Sequence, residues 1–271
     1  MFTQRDGFPH GQFCELGGEL VDSHHLPLIA LARELGVALQ PLIDPADPGE
    51  DLYDFGGRLR TPHDILDPAT GAGAFRQAAA RIAADQGALL DGDDAWTARA
   101  RELDATPLAD YLAALRTGGS DDWVIDLLDV AYAGEFGLPT RRQSALNLVD
   151  FISTDIARPF AVFGDSDEAF RIAGGSSALI EAIAARLTAD RQPRLNAPLL
   201  ALSREGDAIA LRFEEPEGIV MADHVVLALP FTRLRDVAGV ETLGLSAMKL
   251  RAVRELAYGT NAKVMTATRG R

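Results

Sequence analysis

Cysteine, lysine and long apolar runs are all scarce in this sequence of 271 residues. The single cysteine, Cys14, cannot form an internal disulfide, so a disulfide-bonded scaffold is excluded and the redox compartment stays open. The longest apolar runs, such as Val225 to Leu229, fall far short of the ~18 residues that a membrane helix needs. The N-terminus shows no apolar stretch behind its charges, hence no signal peptide. We therefore expect a cytoplasmic protein with no membrane partner.

Positive charge is also in deficit, because 26 Lys and Arg against 40 Asp and Glu give a formal net charge of −14. Nucleic-acid binders concentrate positive charge on one face, so this balance argues against a nucleic-acid partner. Hydrophobic residues make up 47% and charged residues 24%, which is typical of a globular protein and excludes a disordered chain. Lys249 and Lys263 are the only lysines, which makes each of them simple to test by substitution.

Three stretches of different character follow one another along the chain. Residues 1–61 combine glycine-rich loops with one amphipathic helix and a hairpin, whereas residues 62–169 are mainly helical and alanine-rich. Residues 170–271 return to short β runs with two further helices. The predicted fold class is therefore α+β, with a helical middle region and a mixed β-sheet built from the first and last thirds.

Four elements are specific enough to predict individually. A helix should run from about His24 to Leu35 and be capped by Asp22-Ser23. Gly56-Gly57 should form the turn of a hairpin. The apolar run from Ala222 to Leu229 predicts a strand buried on both faces, and a last strand is predicted from Ala262 to Thr268.

The histidines lack metal-binding spacing. None of them forms an i, i+4 pair, and the adjacent His24 and His25 are expected to point in different directions from a helix start. Asp165-Ser166-Asp167 imitates the start of a calcium loop, but the glycine and glutamate that should follow are missing. The sequence therefore predicts no metal site.

A serine nucleophile is a second candidate, in the segment Gly174-Gly175-Ser176-Ser177-Ala178. The segment lies between a predicted strand and a predicted helix, as in a nucleophile elbow, but alanine stands where the last glycine belongs. No Asp/His pair stands out downstream in the expected order. A tight strand-to-helix turn, with serine as N-cap, is the simpler interpretation.

The fingerprint of a dinucleotide-binding fold is absent from the sequence. That fold needs Gly-x-Gly-x-x-Gly between a strand and a helix, because the pyrophosphate must meet bare backbone at a helix N-terminus. Thr70-Gly71-Ala72-Gly73 comes nearest, but Arg76 stands at the position of the third glycine and no strand precedes it.

Five blocks in order along the chain carry a family resemblance. They are GQFCELGGELVD (residues 11–22), FRIAGG (170–175), RLNAPL (194–199), ADHVVLALP (222–230) and YGTNAKV (258–264). Together they resemble the flavin-containing amine oxidases (monoamine oxidase-like), in the part downstream of that family's N-terminal dinucleotide fold. Single blocks of this kind are weak evidence, but five in the right order and spacing are fairly specific to the family.

The resemblance implies FAD as the cofactor and assigns roles to individual residues. The implied cofactor-binding residues are Gly17, Gly18, Glu19, Leu20 and Leu199, and the implied catalytic residue is Lys263. The glycines would let the backbone approach the planar flavin ring, which tolerates no side chain. Leu199 would contact FAD through its main chain, and Lys263 would hold a water near the flavin N5, the atom that receives the hydride.

The resemblance covers only the middle portion of the family. The dinucleotide fold should precede Met1 and a closing segment should follow Arg271, so residues 1–61 resemble a partial FAD-binding region lacking the dinucleotide fingerprint. Residues 62–169 then resemble a helical substrate-domain region, and residues 170–271 the FAD-contacting strands and the substrate-domain sheet. Without the pyrophosphate site much FAD affinity would be lost. A fragmented gene, or a complementary chain that supplies the dinucleotide-binding fold, would explain this pattern.

The activity that the resemblance implies is an oxidoreductase acting on a small-molecule amine or amino acid. Hydride would pass to the flavin, with dioxygen as the final acceptor. Two alternatives stay open. The chain is either a catalytically incompetent fragment, which needs a partner chain or acts only as a binding module, or another flavoenzyme of the same superfamily, such as a desaturase or a protoporphyrinogen-oxidase-like protein. Lys263 favours the amine oxidase branch.

Overall fold

The computed structural model describes residues 2–44, 49–67, 73–214, 216 and 218–266. Its contacts divide the chain into two units, of which unit 1 is Met1–Ala185 with Gly259–Arg271 and unit 2 is Arg186–Tyr258. The three-part division expected from the sequence stays a prediction. The Thr70-Gly71-Ala72 stretch lies outside the described residues, and Gly73 begins a helix.

The described residues form both helices and strands, as expected of an α+β fold. The elements of unit 1 are β1 (Thr3–Gln4), β2 (Cys14–Glu15), β3 (Leu20–Val21), α1 (Leu26–Leu35), β4 (Leu39–Pro41), β5 (Tyr53–Phe55), β6 (Arg58–Arg60), α2 (Pro62–Leu66), α3 (Gly73–Gln86), α4 (Ala98–Ala105), α5 (Leu108–Leu115), α6 (Trp123–Phe136), α7 (Leu146–Val149), β7 (Phe170–Ile172) and α8 (Ser177–Ala185). Those of unit 2 are β8 (Leu199–Glu205), β9 (Ala208–Phe213), β10 (Ile219–Ala222), α9 (Phe231–Leu234) and α10 (Ala247–Glu255).

The helices α2 to α7 build the largest hydrophobic core of unit 1, so the middle of the chain is helical as predicted. Helix α3 shows why, since its buried residues Phe75, Ala78, Ala79 and Ile82 recur at three- and four-residue spacing and form one apolar face. That face packs against α5, α6 and α7. In the described chain each of these helices is too short or too polar to cross a lipid bilayer.

A small three-stranded sheet in unit 1 has the order β3-β7-β4, with both outer strands antiparallel to β7. Helix α1 connects β3 to β4 and returns the chain, so these two strands run in the same direction on either side of β7. The core between this sheet and the helices α1 and α8 is formed by the buried residues Val21, Ala32, Ile172 and Leu179.

The predicted hairpin is confirmed as β5 and β6, which pair in the register Tyr53↔Arg60. Gly56 and Gly57 have φ of 62° and 73°, the left-handed values that a two-residue hairpin turn requires at both central positions.

Unit 2 is an antiparallel three-stranded sheet in the order β10-β9-β8, covered by α9 and α10. Gly206 lies in the tight turn between β8 and β9, and a turn of this length can join only antiparallel strands. The expected parallel pairing of strands is wrong for the described residues, because their strand pairs are antiparallel and a parallel contact occurs only as the isolated bridge between Ala201 and Ala238. A sheet that combines strands from the first and last thirds of the chain is confirmed by β3-β7-β4.

Two predicted strands are also corrected by the structure. The run from Ala222 to Leu229 is not a strand, because β10 ends at Ala222 and the side chain of Val226 is 92% exposed. The described part of the last predicted strand, 262–266, is not a strand either, and Ala267 and Thr268 lie outside the described residues. An apolar run becomes a strand only when a neighbouring strand takes up its backbone hydrogen bonds, and the described residues offer these runs none.

Asp85 is a buried charge in the helical core of unit 1, on α3. Its carboxylate accepts hydrogen bonds from Nε of Arg99 (2.7 Å) and from the hydroxyl of Tyr111 (2.8 Å). Burial alone would raise the pKa of Asp85, but the bonds from Arg99 and Tyr111 outweigh it and hold the pKa below its usual range. The ionised form of Asp85 therefore stabilises the packing of α3 against α4 and α5.

We predict that Asp85→Asn lowers the free energy of unfolding by about 2 kcal/mol at neutral pH, because it weakens hydrogen bonds to a charged partner. Folding lowers the pKa of Asp85. Its hydrogen bonds therefore stabilise the fold fully above the unfolded-state pKa of about 4, and this stabilisation is lost as the pH falls through the folded-state pKa. Urea unfolding from pH 7 downward should show the gap between wild type and variant closing in acid. Asp54→Asn, at an exposed position of β5, is the control. A gap that does not change with pH would contradict this account.

Candidate functional site

A buried carboxyl group, that of Glu15, joins the N-terminal segment to the turn at Gly174-Gly175. Its side chain is 1% exposed, and it accepts hydrogen bonds from the Thr3 hydroxyl (2.9 Å) and from the backbone N–H of Ser176 (2.8 Å). Strand pairing sets the first contact, because β1 and β2 place Thr3 directly opposite Glu15. The second contact lies at the N-terminus of α8, where the unpaired N–H groups of a helix favour a negative charge.

The contacts around Glu15 also hold the backbone of Gly17-Gly18. The hydroxyl of Ser176, which is 3% exposed, donates to the carbonyl of Gly18 (3.0 Å). Thr3 and Ser177 exchange two hydrogen bonds of 2.9 Å, each backbone N–H donating to the other's hydroxyl oxygen. Ser176 therefore acts as a buried donor to the Gly17-Gly18 segment, which disfavours its interpretation as a nucleophile.

Gly17 and Gly18 are exposed, and the described chain itself does not require glycine at either position. Neither has a left-handed backbone, and a Cβ built on either would meet no heavy atom within 4 Å. Gly175 differs, since its φ is +94° and a Cβ there would collide with the side chain of Thr3 and lie 2.8 Å from a carboxylate oxygen of Glu15. Gly175 is therefore explained by packing and Gly174 by its left-handed backbone, whereas neither reason applies to Gly17 or Gly18.

Lys263, near the C-terminal end of the sequence, contacts the Gly17-Gly18 pair. Its ammonium nitrogen, Nζ, donates to the carbonyl oxygen of Gly17 (2.9 Å) and lies 3.8 Å from a carboxylate oxygen of Glu19. Lys263 was expected within a strand, but it lies in an irregular segment. The structure therefore brings together three residues that the family resemblance had singled out, across a sequence separation of 246 residues.

The C-terminal end of α6 anchors the segment that carries Lys263. The backbone N–H of Thr260 donates to the carbonyl of Gly137 (2.9 Å), and the Asn261 amide donates to the carbonyl of Glu135 (3.3 Å). Gly259 packs so closely against the Phe136 carbonyl that a Cβ would collide with it. The position of the lysine is therefore set by a contact between backbone segments and not by a strand.

The other predicted site residues lie at separate places. Leu20 is in β3, where it pairs with Arg171, and its side chain is partly exposed. Leu199 begins β8 in unit 2, next to an irregularity in the register between Leu199 and Ala201. The predicted flavin contacts of Leu20 and Leu199 stay predictions.

An open hollow of about 480 Å³ lies beside the residues that follow Lys263. Val264 and Met265 form one part of its lining, and Phe13 and Cys14 form another. The guanidinium of Arg171 also lines the hollow and lies 5.7 Å from the centre of the Phe13 ring. The hollow thus combines apolar walls with one positive charge.

Sequence reasoning missed an acidic residue, Glu168, whose environment is unusual. Partial burial raises its pKa, and the negative charges of Asp22 and Glu135 raise it further, as does Glu19. The backbone of Glu168 is left-handed, with φ of +44°, and its N–H donates to the Asp22 carboxylate (2.8 Å). No local sequence signal marks this contact, because the two residues are 146 positions apart. The result is a region of negative potential, which favours a cationic ligand.

Asp22, His24 and His25 cluster at the start of α1, with their possible ligand atoms within 4.8 Å of one another. The expectation that the two histidines point apart is wrong, since their rings lie 4.8 Å apart and each faces the Asp22 carboxylate. The predicted cap is corrected too, because Asp22 bonds the 166–168 segment instead of capping α1. Nδ1 of His25 accepts a hydrogen bond from the Asp22 N–H (3.1 Å), so the lone pair of that nitrogen is already used by the chain.

Comparison with known proteins gives a consistent result. The chain matches the sequence profile described as "Flavin containing amine oxidoreductase" over residues 1–271. It is 27% identical over 280 residues to the flavin-dependent L-tryptophan oxidase RebO from Lentzea aerocolonigenes, a match that covers 93% of this chain and 54% of that protein.

Solved structures share the fold. Cyclohexylamine oxidase from Brevibacterium oxydans matches with a TM-score of 0.73 at 20% identity, over 93% of this chain and 54% of the other. Putrescine oxidase, solved with putrescine bound, matches with a TM-score of 0.70 at 19% identity, over 92% of this chain and 54% of the other. The chain therefore spans about half the length of the relatives it matches.

Gly174 and Gly175 provide a matched test of the Glu15 contacts. Gly174→Ala and Gly175→Ala both introduce a Cβ at a left-handed backbone, but only the Cβ at Gly175 meets other atoms. We expect a loss of about 1 kcal/mol in unfolding free energy for Gly174→Ala and at least about 3 kcal/mol for Gly175→Ala. Urea unfolding of both variants measures the difference, and equal losses would show that Thr3 and Glu15 do not pack against this turn.

Proposed function

The chain belongs to the family of flavin-containing amine oxidoreductases, and on that premise we propose that Gly17, Gly18, Glu19 and Lys263 form part of a flavin-dependent oxidase site for an amine or amino acid. FAD as the cofactor follows from the family. The observation that carries the proposal is the hydrogen bond from Nζ of Lys263 to the Gly17 carbonyl. It joins the two segments to which the family resemblance assigned the flavin-facing glycines and the active-site lysine.

The residues present fit a flavin. Two glycines that the surrounding chain does not require are explained when a planar ring lies against their backbone, because a side chain there would hold the ring away. The Lys263 ammonium is half exposed. Among the described residues it donates one hydrogen bond, to Gly17, and forms an ion pair with Glu19, so it keeps donors for a water or a cofactor atom. Gly17, Gly18 and Lys263 are thus the residues that would hold or face the ring.

When bound, the flavin supplies the acceptor for the hydride of the C–H bond next to the amine nitrogen, and dioxygen then takes up both electrons as peroxide. Lys263 would orient the water beside that acceptor, since its ammonium is itself fixed by two partners. The negative charges of Glu168 and Asp22 would attract the ammonium form of the substrate. The Arg171 guanidinium suits the carboxylate of an amino acid. Water hydrolyses the imine product to the carbonyl compound and ammonia.

The other hypothesis is that the isolated chain is catalytically incompetent. The chain spans about half the length of its relatives, and under this hypothesis a second chain supplies the pyrophosphate-binding fold. Flavin binding by the purified chain distinguishes the two hypotheses, since a binding module without flavin cannot carry out the oxidation.

We predict that the chain, incubated with excess FAD and passed over a gel-filtration column, retains the visible absorption bands of a flavin. The Gly17→Val/Gly18→Val double variant should lose them, because two branched side chains would keep the ring off the backbone. Gly206→Ala, in a turn of unit 2, controls for loss of glycine elsewhere. A colourless wild-type protein would exclude an autonomous oxidase and leave the fragment hypothesis.

The two lysines provide a matched test of the catalytic assignment. Lys263→Met should slow amine-dependent bleaching of the bound flavin at least about tenfold, because a positioned charge near the reacting atoms is lost. Lys249→Met should leave the rate unchanged, since Lys249 lies on α10 against the ring of Phe231. Anaerobic stopped-flow absorbance measures both rates. Equal rates in the two variants would remove Lys263 from the mechanism.

A further inference from the structure

The apolar run of residues 225–229 in unit 2 has the side-chain pattern of a strand but no partner strand. Within the part of the chain that the structure describes, none of its backbone N–H or C=O groups takes part in a hydrogen bond. Its exposure alternates, since Val225 and Leu227 are half-buried whereas Val226 and Ala228 are exposed. A period of two is typical of a strand with one face on a core, and Leu227 packs against the core of unit 2. The run therefore lacks only the second strand.

The free backbone groups of the apolar run are open to pairing with another chain. Proteins ordinarily protect such a segment by placing charged side chains or proline within it. Here Asp223 and Pro230 stand outside the run, and its five residues are all apolar. The preceding strand β10 adds the exposed side chains of Ile219 and Met221. The run is therefore suited to β-pairing between chains, and Pro230, which has no N–H to donate, ends it.

The charge of the chain is distributed so that a second copy can approach at unit 2. Residues 186–258 contain ten Lys and Arg and ten Asp and Glu, so unit 2 is neutral and the net charge of −14 belongs to unit 1. Repulsion between the acidic units of two copies is screened beyond about 8 Å at physiological ionic strength. A contact between two neutral units meets no net repulsion of its own. Unit 2 is therefore where self-association is favoured.

Two charged side chains at opposite ends of the apolar run specify how two copies align. Asp223 precedes the run and Arg233 follows it in α9. Both are exposed, and neither forms an ion pair with another described residue. A twofold axis perpendicular to a sheet makes the two central strands antiparallel, which brings Asp223 to the end that carries the partner subunit's Arg233. A parallel alignment would bring like charges together instead.

We propose that the apolar run is the interface of a homodimer, in which residues 225–229 of two copies pair as antiparallel strands. The register that pairs all five residues places Leu227 opposite the partner subunit's Leu227, on the twofold axis. Each run then supplies the backbone hydrogen bonds that the other lacks, and an Asp223–Arg233 pair forms at each end. The interface uses no residue of the proposed flavin site, so it stands or falls independently of the oxidase proposal.

The first test is the mass of the 271-residue chain in solution, measured by light scattering after gel filtration at physiological ionic strength. Wild type should have twice the 29.0 kDa of one chain and should dissociate on dilution. Val226→Lys should dissociate at least about tenfold more readily, because it places a charge between the paired strands. Leu195→Lys makes the same kind of change at another exposed apolar position of unit 2 and should dimerise as wild type does.

Charge reversal tests the alignment of the two copies. Asp223→Arg and Arg233→Asp should each weaken the dimer at least about tenfold, because each brings like charges together at both ends of the paired runs. An equimolar mixture of these two variants should dimerise as wild type does, since every end of a mixed dimer again joins opposite charges. A variant that had failed to fold could not be rescued by mixing, so the mixture separates loss of the interface from loss of the fold.

Hydrogen exchange tests whether the paired run is a strand. The backbone amides of residues 225–229 should exchange rapidly in dilute solution and at least about tenfold more slowly in the dimer, because pairing takes up their N–H groups.

Four results would overturn the proposal. A wild-type chain that stays monomeric would do so and would leave the run to a strand from a different chain. The others are a mass that grows beyond the dimer with concentration, a dimer in which the run is not protected from exchange, and a mixture of the two charge-reversal variants that does not dimerise.

Discussion

The buried carboxylate of Glu15 is the interaction on which the arrangement of unit 1 depends. A carboxyl group with almost no exposure is stable only when its oxygen atoms are hydrogen-bonded, and these bonds come from Thr3 and Ser176. All three segments must therefore meet before Glu15 is satisfied. Once they meet, the Ser176 hydroxyl donates a hydrogen bond to the Gly18 carbonyl. The contacts that satisfy Glu15 therefore also position the Gly17-Gly18 backbone, against which the proposed function places the flavin.

The C-terminal end of α6 is the second organising element, because it serves two parts of unit 1. Its terminal carbonyls accept hydrogen bonds from Thr260 and Asn261, which place Lys263 against Gly17. Its last turn also carries Glu135, which lines an open hollow together with Trp96 and Phe151. Unsatisfied carbonyls at a helix end are suited to such contacts. A single helix terminus thus holds the segment that carries Lys263 and also lines an open hollow of unit 1.

Much of the local structure could be predicted where short-range rules decide it. The hairpin at Gly56-Gly57 follows from left-handed turn geometry, and the helical middle follows from apolar spacing along α3. The strand predicted from Ala222 failed because an apolar run does not reveal whether a partner strand is available. Glu168 was missed for a related reason, since its unusual environment is made by Asp22 and Glu135, which are distant in sequence.

Five short blocks in order were enough to identify the family, the cofactor class and the candidate residues Gly17, Glu19 and Lys263, because recognising them needs no knowledge of contacts. The contact of Lys263 with Gly17 and the burial of Glu15 became visible in the folded chain alone. Each of these contacts depends on how separate elements pack, and packing brings together residues that are more than 200 positions apart in the sequence. Composition and motif spacing contain no record of such pairs.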